Sequence, residues 1–296
     1  MTASADSSRR LVPAVRALLA TFAVLTVLAT SQLFVRAEDT AQGFAWTIDP
    51  PLTAAFFGGG YAAGCVLVVL SLRSGTWAQA RVGYLTVLLF TVVALAATLL
   101  HLDKFHFGAP GALPRAAAWV WLVVYVVVPV AMLVALRTQL RARGEDRSSG
   151  VLLGPVLRTA LGVQAAVLVT AGLALFFLDG ARALWPWSLT ELTARALASW
   201  LVALGVGAVL AVVEDDAVRL RPAATTYAVL GLLQLLALAR FRDDVDWGAT
   251  SAWVYVVAVV GALGVGATGM ARARTPAPHV RASVRVGDPP LASKPR

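Results

Sequence analysis

The sequence predicts an all-α protein, a polytopic transmembrane bundle of about eight helices. Of its 296 residues, 59% are hydrophobic and 14% are charged, with a mean hydropathy of +0.76, whereas roughly a quarter of residues are charged in soluble domains. The apolar residues come in runs of about 20, the length at which a helix crosses about 30 Å of hydrocarbon. The runs lack the alternation of a membrane barrel, and irregular backbone facing lipid would leave peptide groups unpaired, so helices are expected.

The runs give the predicted spans in order. They cover residues 14–35, 51–72, 82–101, 116–136, 158–178, 191–213, 223–239 and 250–270. The first follows Arg9 and Arg10, as the core of a signal peptide would. It is longer than such a core and lacks a clear small-residue cleavage site, so it is predicted to be a retained span. The seventh is short and begins just after Pro222.

The Lys and Arg residues predict the orientation, because cytoplasmic loops of membrane proteins carry an excess of them. With the N-terminus inside, the inner segments hold 18 of the 25 basic residues, and the outer segments hold seven against nine acidic residues. The formal charge of +9 therefore divides into about +11 inside and −2 outside. Both termini are predicted to be cytoplasmic, with the basic residues anchoring the loops at anionic lipid heads.

Composition argues against several classes of function. The charge division assigns the high pI to loop anchors, so membrane lipids are expected partners and nucleic acid is not. The single cysteine, Cys65, lies in the second span and cannot form an intrachain disulfide. No paired histidines lie in the spans to hold haem, and no cofactor is predicted. Basic residues are almost all Arg, and Ala and Val abound, which indicates a high-GC bacterial source and its cytoplasmic (inner) membrane.

Recurring motifs predict two copies of a four-helix unit. VPAVRALL (12–19) opens the first span and GPVLRTAL (154–161) opens the fifth, while LTAA (52–55) and LTAR (192–195) open the second and sixth. The third span ends in Lys104-Phe105 before AWVW (118–121), and the seventh ends in Arg240-Phe241 before AWVY (252–255). The alternative is that Ala, Val and Trp recur by chance at membrane interfaces.

The predicted organisation follows from this repeat. It consists of a cytoplasmic tail (1–10), a first repeat (11–137), a cytoplasmic linker (138–153), a second repeat (154–270) and a cytoplasmic tail (271–296). An even number of helices in each copy makes the two repeats parallel.

The segment WPWSLTELTAR (185–195) is the first candidate site. Ser188 followed by Glu191 is a capping-box pattern, and Glu191 stands one turn before Arg195, as in an (i, i+4) ion pair. Trp185 and Trp187 are expected to anchor the helix start at the outer headgroup level. Two interpretations remain open, an anchored helix start or an outer site where Glu191 and Arg195 bind a polar or charged ligand group.

The first-half counterpart is WTIDPPLTAA, which begins at Trp46, a further expected interface anchor. Asp49 as N-cap, with Pro50 at the first helical position, is a conventional helix start. This segment lacks both the glutamate and the arginine. If the repeat is real, the halves have diverged here and the second is the better candidate for specificity.

HLDKFHF (101–107) places His101, Asp103, Lys104 and His106 at the outer end of the third span. Two imidazoles and a carboxylate can bind zinc, and a histidine near a carboxylate can act as a general base. Residues five apart do not share a helix face, so one ion would need a turn here, and no metal is predicted. Proton or anion handling and a plain interfacial loop both remain open.

FRDDVDW (241–247) carries Asp243, Asp244 and Asp246 on the outer side. Three carboxylates could hold a hard cation, but the glycine and glutamate of a calcium loop are missing, so a solvated acidic loop is predicted. No Asp, Glu, Lys, Arg or His lies near the middle of any span, where coupled transporters keep titratable groups.

WPW before LTAR, the basic-Phe end of the third span and the W-x-W-x-x-x-Y-x-x-x-P run (119–129) carry a family resemblance. Together they resemble a group of uncharacterised multi-span membrane proteins of actinobacteria and related bacteria. The resemblance covers most of the membrane region and implies no activity.

The leading hypothesis is a non-enzymatic protein that transports or senses a small or lipidic ligand at its outer face. Lys104 and Arg240, equivalent in the repeat, suit an anionic group. The candidate ligand-binding residues all lie at outer helix ends, namely His101, Asp103, Lys104, His106, Glu191, Arg195 and Arg240. The alternatives are a membrane-embedded enzyme acting on a lipid or cell-envelope substrate, with His101 or His106 as base, and an assembly partner without chemistry of its own.

Overall fold

A computed structural model describes residues 8–275 and confirms the predicted fold class. Eight helices are long and apolar enough to cross a membrane. They are α1 Pro13–Thr30, α2 Pro51–Ser74, α3 Trp77–Leu100, α4 Ala112–Leu140, α5 Pro155–Phe177, α6 Glu191–Glu214, α7 Arg221–Arg240 and α8 Thr250–Arg272. The described residues form no strand, only two isolated bridges. The protein is a multi-pass membrane protein, and the predicted tails fall mostly on residues 1–7 and 276–296, outside the described part.

Short elements complete the chain between the long helices. A π-helical turn, Ser31–Val35, extends α1, and a single helical turn covers Thr40–Gly43. Four 3-10 helices lie in the loops of the described residues, Ala37–Asp39, Leu102–Lys104, Asp179–Leu184 and Arg242–Asp244.

The loops gather at two opposite faces of the bundle. The terminal face holds residues 8–12, 75–76, 141–154, 215–220 and 273–275, and the distal face holds residues 36–50, 101–111, 178–190 and 241–249. Hydrogen bonds connect the segments of each face. On the terminal face, for example, the N–H of Ala217 donates to Val151 O at 2.8 Å.

Helix packing follows one scheme in the first half, α1–α4, and the second half, α5–α8. The first helix of each half packs on the second, and the third packs on the fourth. Between the halves, α3 packs against α6 and α7 packs against α2. The third helix of each half therefore contacts the second helix of the other.

The two halves differ in how closely their last helices approach. A Cβ on Gly231 of α7 would lie 2.7 Å from Leu263 N, and one on Gly266 of α8 would lie 2.3 Å from Ala228 N. Glycine therefore lets α7 and α8 pack backbone to backbone, as small residues do in membrane helix pairs. The first-half residue that corresponds to Gly231 is Thr91, counted back from the turn that follows both α3 and α7. The residue that corresponds to Gly266 is Met132, counted from the AWV motifs of α4 and α8. The larger side chains keep α3 and α4 further apart, and these helices contact each other much less.

Two helix starts differ from the sequence prediction. At α6 the cap is Thr190, whose side chain accepts from Thr193 N–H at 3.2 Å, so the predicted Ser188–Glu191 capping box is wrong. At α2 the helix begins at Pro51, and Asp49 does not cap it. Instead Leu52 N–H donates to Asp244 Oδ2 at 3.0 Å. A carboxylate from the other half thus stabilises the positive end of α2.

The predicted tryptophan anchors need a correction. Trp46 and Trp187 are only 2% and 4% exposed and lie in the same buried cluster, so neither side chain faces the headgroups. Trp187 is drawn inward because its Nε1 donates to Thr53 Oγ1 of α2 at 2.9 Å. Trp46 packs on Phe105 and Trp121. Trp185 is half-buried and packs edge-on against Trp187.

Candidate functional site

Three of the predicted site residues meet at the distal end of α3 and α6. Arg195 Nη1 lies 2.5 Å from His101 Nε2 and 3.9 Å from a Glu191 carboxylate oxygen, so the predicted (i, i+4) pair is present at long range. Arg195 Nε also donates to Phe176 O at 3.2 Å. The arginine therefore holds the carbonyl end of α5, where a cation is favoured, as well as the histidine.

His101 is buried in this cluster as a hydrogen-bond acceptor. Burial and the neighbouring Arg195 guanidinium lower its pKa below the ordinary 6.5, against the weaker opposing effect of Glu191. An arginine cannot accept a hydrogen bond, so Nε2 must present its lone pair and the imidazole is neutral. Arg182 adds a second guanidinium at 3.4 Å from Glu191, which shares its charge between two arginines.

The remaining predicted residues lie apart from this cluster. Asp103 and Lys104 form an exposed ion pair at 2.9 Å, in which Lys104 lowers the pKa of Asp103. His106 has both ring nitrogens engaged, with Phe44 O at 3.0 Å and Thr47 Oγ1 at 3.2 Å. The structure does not bring the two histidines to one site.

Arg240 hydrogen-bonds to the end of α1. Its Nη1 donates to Phe34 O at 2.6 Å and its Nη2 to Val35 O at 3.2 Å, which closes the carbonyl end of α1. The loops after α3 and α7 have the same succession of helix end, 3-10 helix and turn. When the two loops are aligned by that succession, Lys104 corresponds to Asp244 and Arg240 corresponds to Leu100. The predicted equivalence of Lys104 and Arg240 is therefore off by one helical turn.

The acidic loop after α7 is used for local hydrogen bonds. Asp244 caps α2, and Asp246 Oδ1 accepts from Gly248 N–H at 3.0 Å. Asp243 is exposed beside Arg242. Within residues 8–275, no three His, Cys, Asp or Glu side chains are grouped so as to hold a metal ion.

An apolar cavity of about 370 Å³ lies in the first half, and no pattern in the sequence directly predicted it. Residues of α1, α2, α3 and α4 form most of its wall, with Trp200 of α6 and Leu230 of α7 behind them. The volume is within the range of about 300–1,000 Å³ that ligand pockets occupy. It exists because α3 and α4 do not close on each other as α7 and α8 do.

The cavity opens sideways between α1 and α4. Leu28 of α1 and Val120 of α4 line it and are also 56% and 55% exposed. Nearer the terminal face the same two helices converge, since Val15 and Met132 belong to one buried cluster. The gap therefore lies in the distal half of the bundle, where both helices face hydrocarbon.

Four hydroxyl groups in the wall are already satisfied within the protein. The hydroxyls of Tyr61 and Tyr125 bond to each other at 2.6 Å. Thr26 donates to Phe22 O at 2.7 Å and Thr91 to Leu88 O at 2.9 Å, each within its own helix. A cavity of this kind offers water too few partners and stays dry, so it suits an apolar occupant.

A second group that sequence reasoning missed is an ion-pair network on the terminal face. Asp216 is 1% exposed and accepts from Ser149 N–H at 2.6 Å, Ser149 Oγ at 2.7 Å, Ser148 Oγ at 3.0 Å and Arg219 N–H at 3.0 Å. Burial raises the pKa of Asp216, but these hydrogen bonds outweigh it and hold the pKa below the ordinary 3.8. Asp216 thus fixes the linker between the halves.

The network also joins the halves directly. Glu214 at the end of α6 accepts from Arg81 Nε of α3 at 2.5 Å and from Arg219 Nη1 at 2.7 Å. Arg81 and Arg9 further pair with Asp146 of the linker at 3.5 and 3.7 Å. The three acidic residues of VVEDDAV (212–218) lie among basic loop residues, and this pattern could have indicated the network. The charge count used to predict orientation only subtracts them from the positive total and does not indicate ion pairs.

The fold and these sites define a multi-pass helical membrane protein with a lipid-facing cavity. Comparison of the chain with models of known protein families, with curated proteins and with solved structures finds no match.

Proposed function

We propose that this protein binds a lipidic molecule, taken from the surrounding leaflet into the cavity of the first half. The observation that carries the proposal is the sideways opening between α1 and α4. Because that opening faces hydrocarbon and the wall is apolar, a hydrocarbon chain can pass from the bilayer into the cavity without any cost of desolvation. Water has no such access through the same gap.

An anionic headgroup fits the rim of the cavity. The two helices that frame the opening each carry an arginine at the distal end, Arg36 just beyond α1 and Arg115 in the first turn of α4. Leu113, two residues before Arg115, lines the cavity. Arg36 is half-exposed and pairs with Asp39 only at 3.6 Å. Guanidinium groups at this level are suited to a phosphate.

The orientation we propose puts the distal face outside a bacterial inner membrane and the terminal face in the cytoplasm. It is supported by the excess of Lys and Arg in the terminal-face loops. The ligand would then be taken from the outer leaflet.

We also propose that the two halves arose by duplication, as repeats 11–137 and 154–270. Two hydrogen bonds from corresponding donors support this, and each acceptor stands one residue before a tryptophan, Trp46 or Trp187. His106 N–H donates to Ala45 O at 2.8 Å in the first half, and Asp246 N–H donates to Pro186 O at 2.9 Å in the second. The packing between the halves is also symmetric, since α3 packs on α6 as α7 packs on α2.

The binding proposal is tested by photo-crosslinking in vesicles of phosphatidylethanolamine and phosphatidylglycerol. A phosphatidylglycerol with a diazirine near the end of one acyl chain is the probe. Wild-type protein should be labelled on peptides of α1 and α4 that line the cavity. Val124→Trp fills the cavity from α4 and should reduce that labelling several-fold.

The matched control is Val123→Trp, one residue earlier on the same helix. Val123 is 56% exposed and does not line the cavity, so its labelling should equal that of wild type. Equal labelling of all three proteins would contradict the proposal, because the probe would then report only the outer surface of the bundle.

A further inference from the structure

The π-helical turn at the distal end of α1 carries a polar side chain into the wall of the cavity. In this turn, Arg36 N–H donates to Ser31 O, five residues back, at 3.2 Å. The second residue of the turn, Gln32, is half-buried and lines the cavity. Within residues 8–275, no group hydrogen-bonds to the Gln32 side-chain amide. Single π-helical turns of this kind are frequent at functional sites.

The corresponding helix of the second half, α5, stays α-helical at this level. Both α1 and α5 begin at a proline, and counted from it Gln32 corresponds to Ala174. Leu178 N–H donates to Ala174 O, four residues back, at 2.8 Å, as in an ordinary α-helix. The wider turn and the amide therefore occur in the half that contains the cavity, and α5 has neither at the corresponding position.

Two contacts hold the backbone of the turn in place. Gly58 of α2 lies directly against it, since a Cβ there would be 2.3 Å from Phe34 N. On α7, Arg240 donates to Phe34 O and Val35 O. The position of Gln32 in the wall is thus fixed by the fold before a ligand enters, which lowers the entropy that binding must cost.

The order of side chains along α1 matches the order of groups in a phospholipid. Leu28, at the sideways opening, precedes Gln32 by four residues, and Arg36, at the rim, follows it by four. Residues four apart lie on one side of a helix, about one turn from each other. From the rim inward, the chain therefore offers a cation, an amide and an apolar surface. A phospholipid offers a phosphate, then ester carbonyls, then acyl chains.

The Gln32 amide needs a hydrogen-bond partner at this depth. It stands at the edge of the hydrocarbon, where a polar group without a partner is costly. Its NH₂ group has two hydrogens to donate. An ester carbonyl of a lipid is a good acceptor at the same level, whereas the oxygen of an ether-linked lipid is a much weaker one.

We infer that Gln32 selects ester-linked phospholipids, because its amide donates a hydrogen bond to an ester carbonyl of the lipid in the cavity. The inference rests on the proposed function, since the lipid that it describes is the one bound there. It defines the ligand as an anionic diacyl phospholipid, with its phosphate toward Arg36 and one acyl chain running past Leu28 into the cavity.

The test is photo-crosslinking in vesicles of ether-linked phosphatidylethanolamine and phosphatidylglycerol, whose host lipids have no ester carbonyl to compete. Two phosphatidylglycerol probes carry the same diazirine near the end of one chain and differ only in having ester or ether linkages. The ester probe should label the cavity-lining peptides of wild-type α1 and α4 several-fold more than the ether probe. The factor is modest because one hydrogen bond replaces another that the lipid makes with water.

Gln32→Met is the informative variant, because methionine is unbranched and of similar length but has no donor. Both probes should label it equally, at the level of the ether probe in wild type. Labelling at that level also shows that the variant is folded and still admits lipid. Ser31→Ala is the matched control, since Ser31 precedes Gln32 in the same turn, is exposed and does not line the cavity. It should keep the wild-type preference for the ester probe.

The outcomes separate the inference from the proposed function. Equal labelling of the wild-type cavity by the two probes overturns the inference, and so does a preference for the ester probe that persists in Gln32→Met. In both cases the binding proposal stands, because lipid still enters the cavity. Absence of cavity labelling by either probe in wild-type protein overturns both.

Discussion

Asp216→Asn is expected to weaken the protein through the terminal-face network. The carboxylate is 1% exposed and accepts hydrogen bonds from Ser148, Ser149 and Arg219. Asparagine keeps the shape but replaces one oxygen by a donor. The backbone N–H groups of Ser149 and Arg219 donate to different carboxylate oxygens, so one of them would face an NH₂ group in either rotamer. The substitution thus removes a charge and leaves a donor unpaired.

The magnitude follows from two costs that overlap. Asp216 Oδ2 also lies 3.5 Å from Arg219 Nε as a buried ion pair. Removing one partner of such a pair costs about 3–5 kcal/mol, and a buried donor without an acceptor costs about 1–3 kcal/mol. Arg219 keeps Glu214 as a partner at 2.7 Å, so the lower end applies and we expect about 3 kcal/mol. At about 2–4 °C for each kcal/mol in chains of 150–250 residues, this predicts a fall in Tm of about 6–12 °C.

The single cysteine provides the assay. Cys65 lies in α2, and a fluorogenic maleimide will react with it as the bundle opens during heating in detergent. The pKa of Asp216 is lower than usual in the folded protein, so its contribution to stability is complete above the ordinary value of 3.8 and is lost as the pH falls; the assay is run near pH 7. Asp243→Asn is the control, since its side chain is 92% exposed. Equal Tm values for the two variants would refute the reasoning.

Three further predictions concern other parts of the chain. First, burial and Arg195 lower the pKa of His101, while Glu191 and Asp103 act in the opposite sense and Lys104 adds to the lowering. The unfolded chain therefore takes up the proton at a higher pH than the folded protein, so Tm should fall as the pH drops through 6.5. His101→Phe should lose this fall in Tm, and a pH profile of Tm unchanged by the substitution would contradict the prediction. Second, Gly266→Ala should lower Tm by a few degrees, since a Cβ there lies 2.3 Å from Ala228 N, whereas Gly264→Ala, with open space around it, should not lower it; equal shifts would argue against the close contact of α7 and α8. Third, in a Cys65→Ala background, an impermeant thiol reagent should label single cysteines at 104, 191 and 242 in intact cells but not one at 147, and labelling at 147 would reverse the orientation.

The spans could be predicted because hydrocarbon thickness fixes both the length and the composition of a crossing helix. Helix starts were harder, because their partners are remote in sequence. Leu52 is capped by Asp244, which is 192 residues away, and no local pattern contains that information. The same holds for Trp187. Its local sequence is typical of a membrane interface, but Thr53, which is distant in sequence, accepts its hydrogen bond in the interior.

The candidate sites were predictable only in part. Glu191 and Arg195 could be paired from their spacing, but the addition of His101 depends on α3 and α6 packing across the halves. The cavity depends on how closely pairs of helices pack. The first half has Thr91 where the second half has Gly231, and this small difference in sequence accompanies a much wider separation of the helices. Once the repeat is aligned, that difference is readable in the sequence, whereas the volume it leaves is not.

The exchange of helices between the halves has a consequence for biogenesis. The face of α3 that packs on α6 has no partner until more than a hundred further residues have been synthesised. At about 5–20 residues per second, the nascent first half waits roughly 5–20 s in the membrane before that partner emerges. During this interval its Thr- and aromatic-lined surface is open to insertion factors and to competing helices. Newly made chains should therefore be most vulnerable to membrane proteases just before α6 and α7 are inserted.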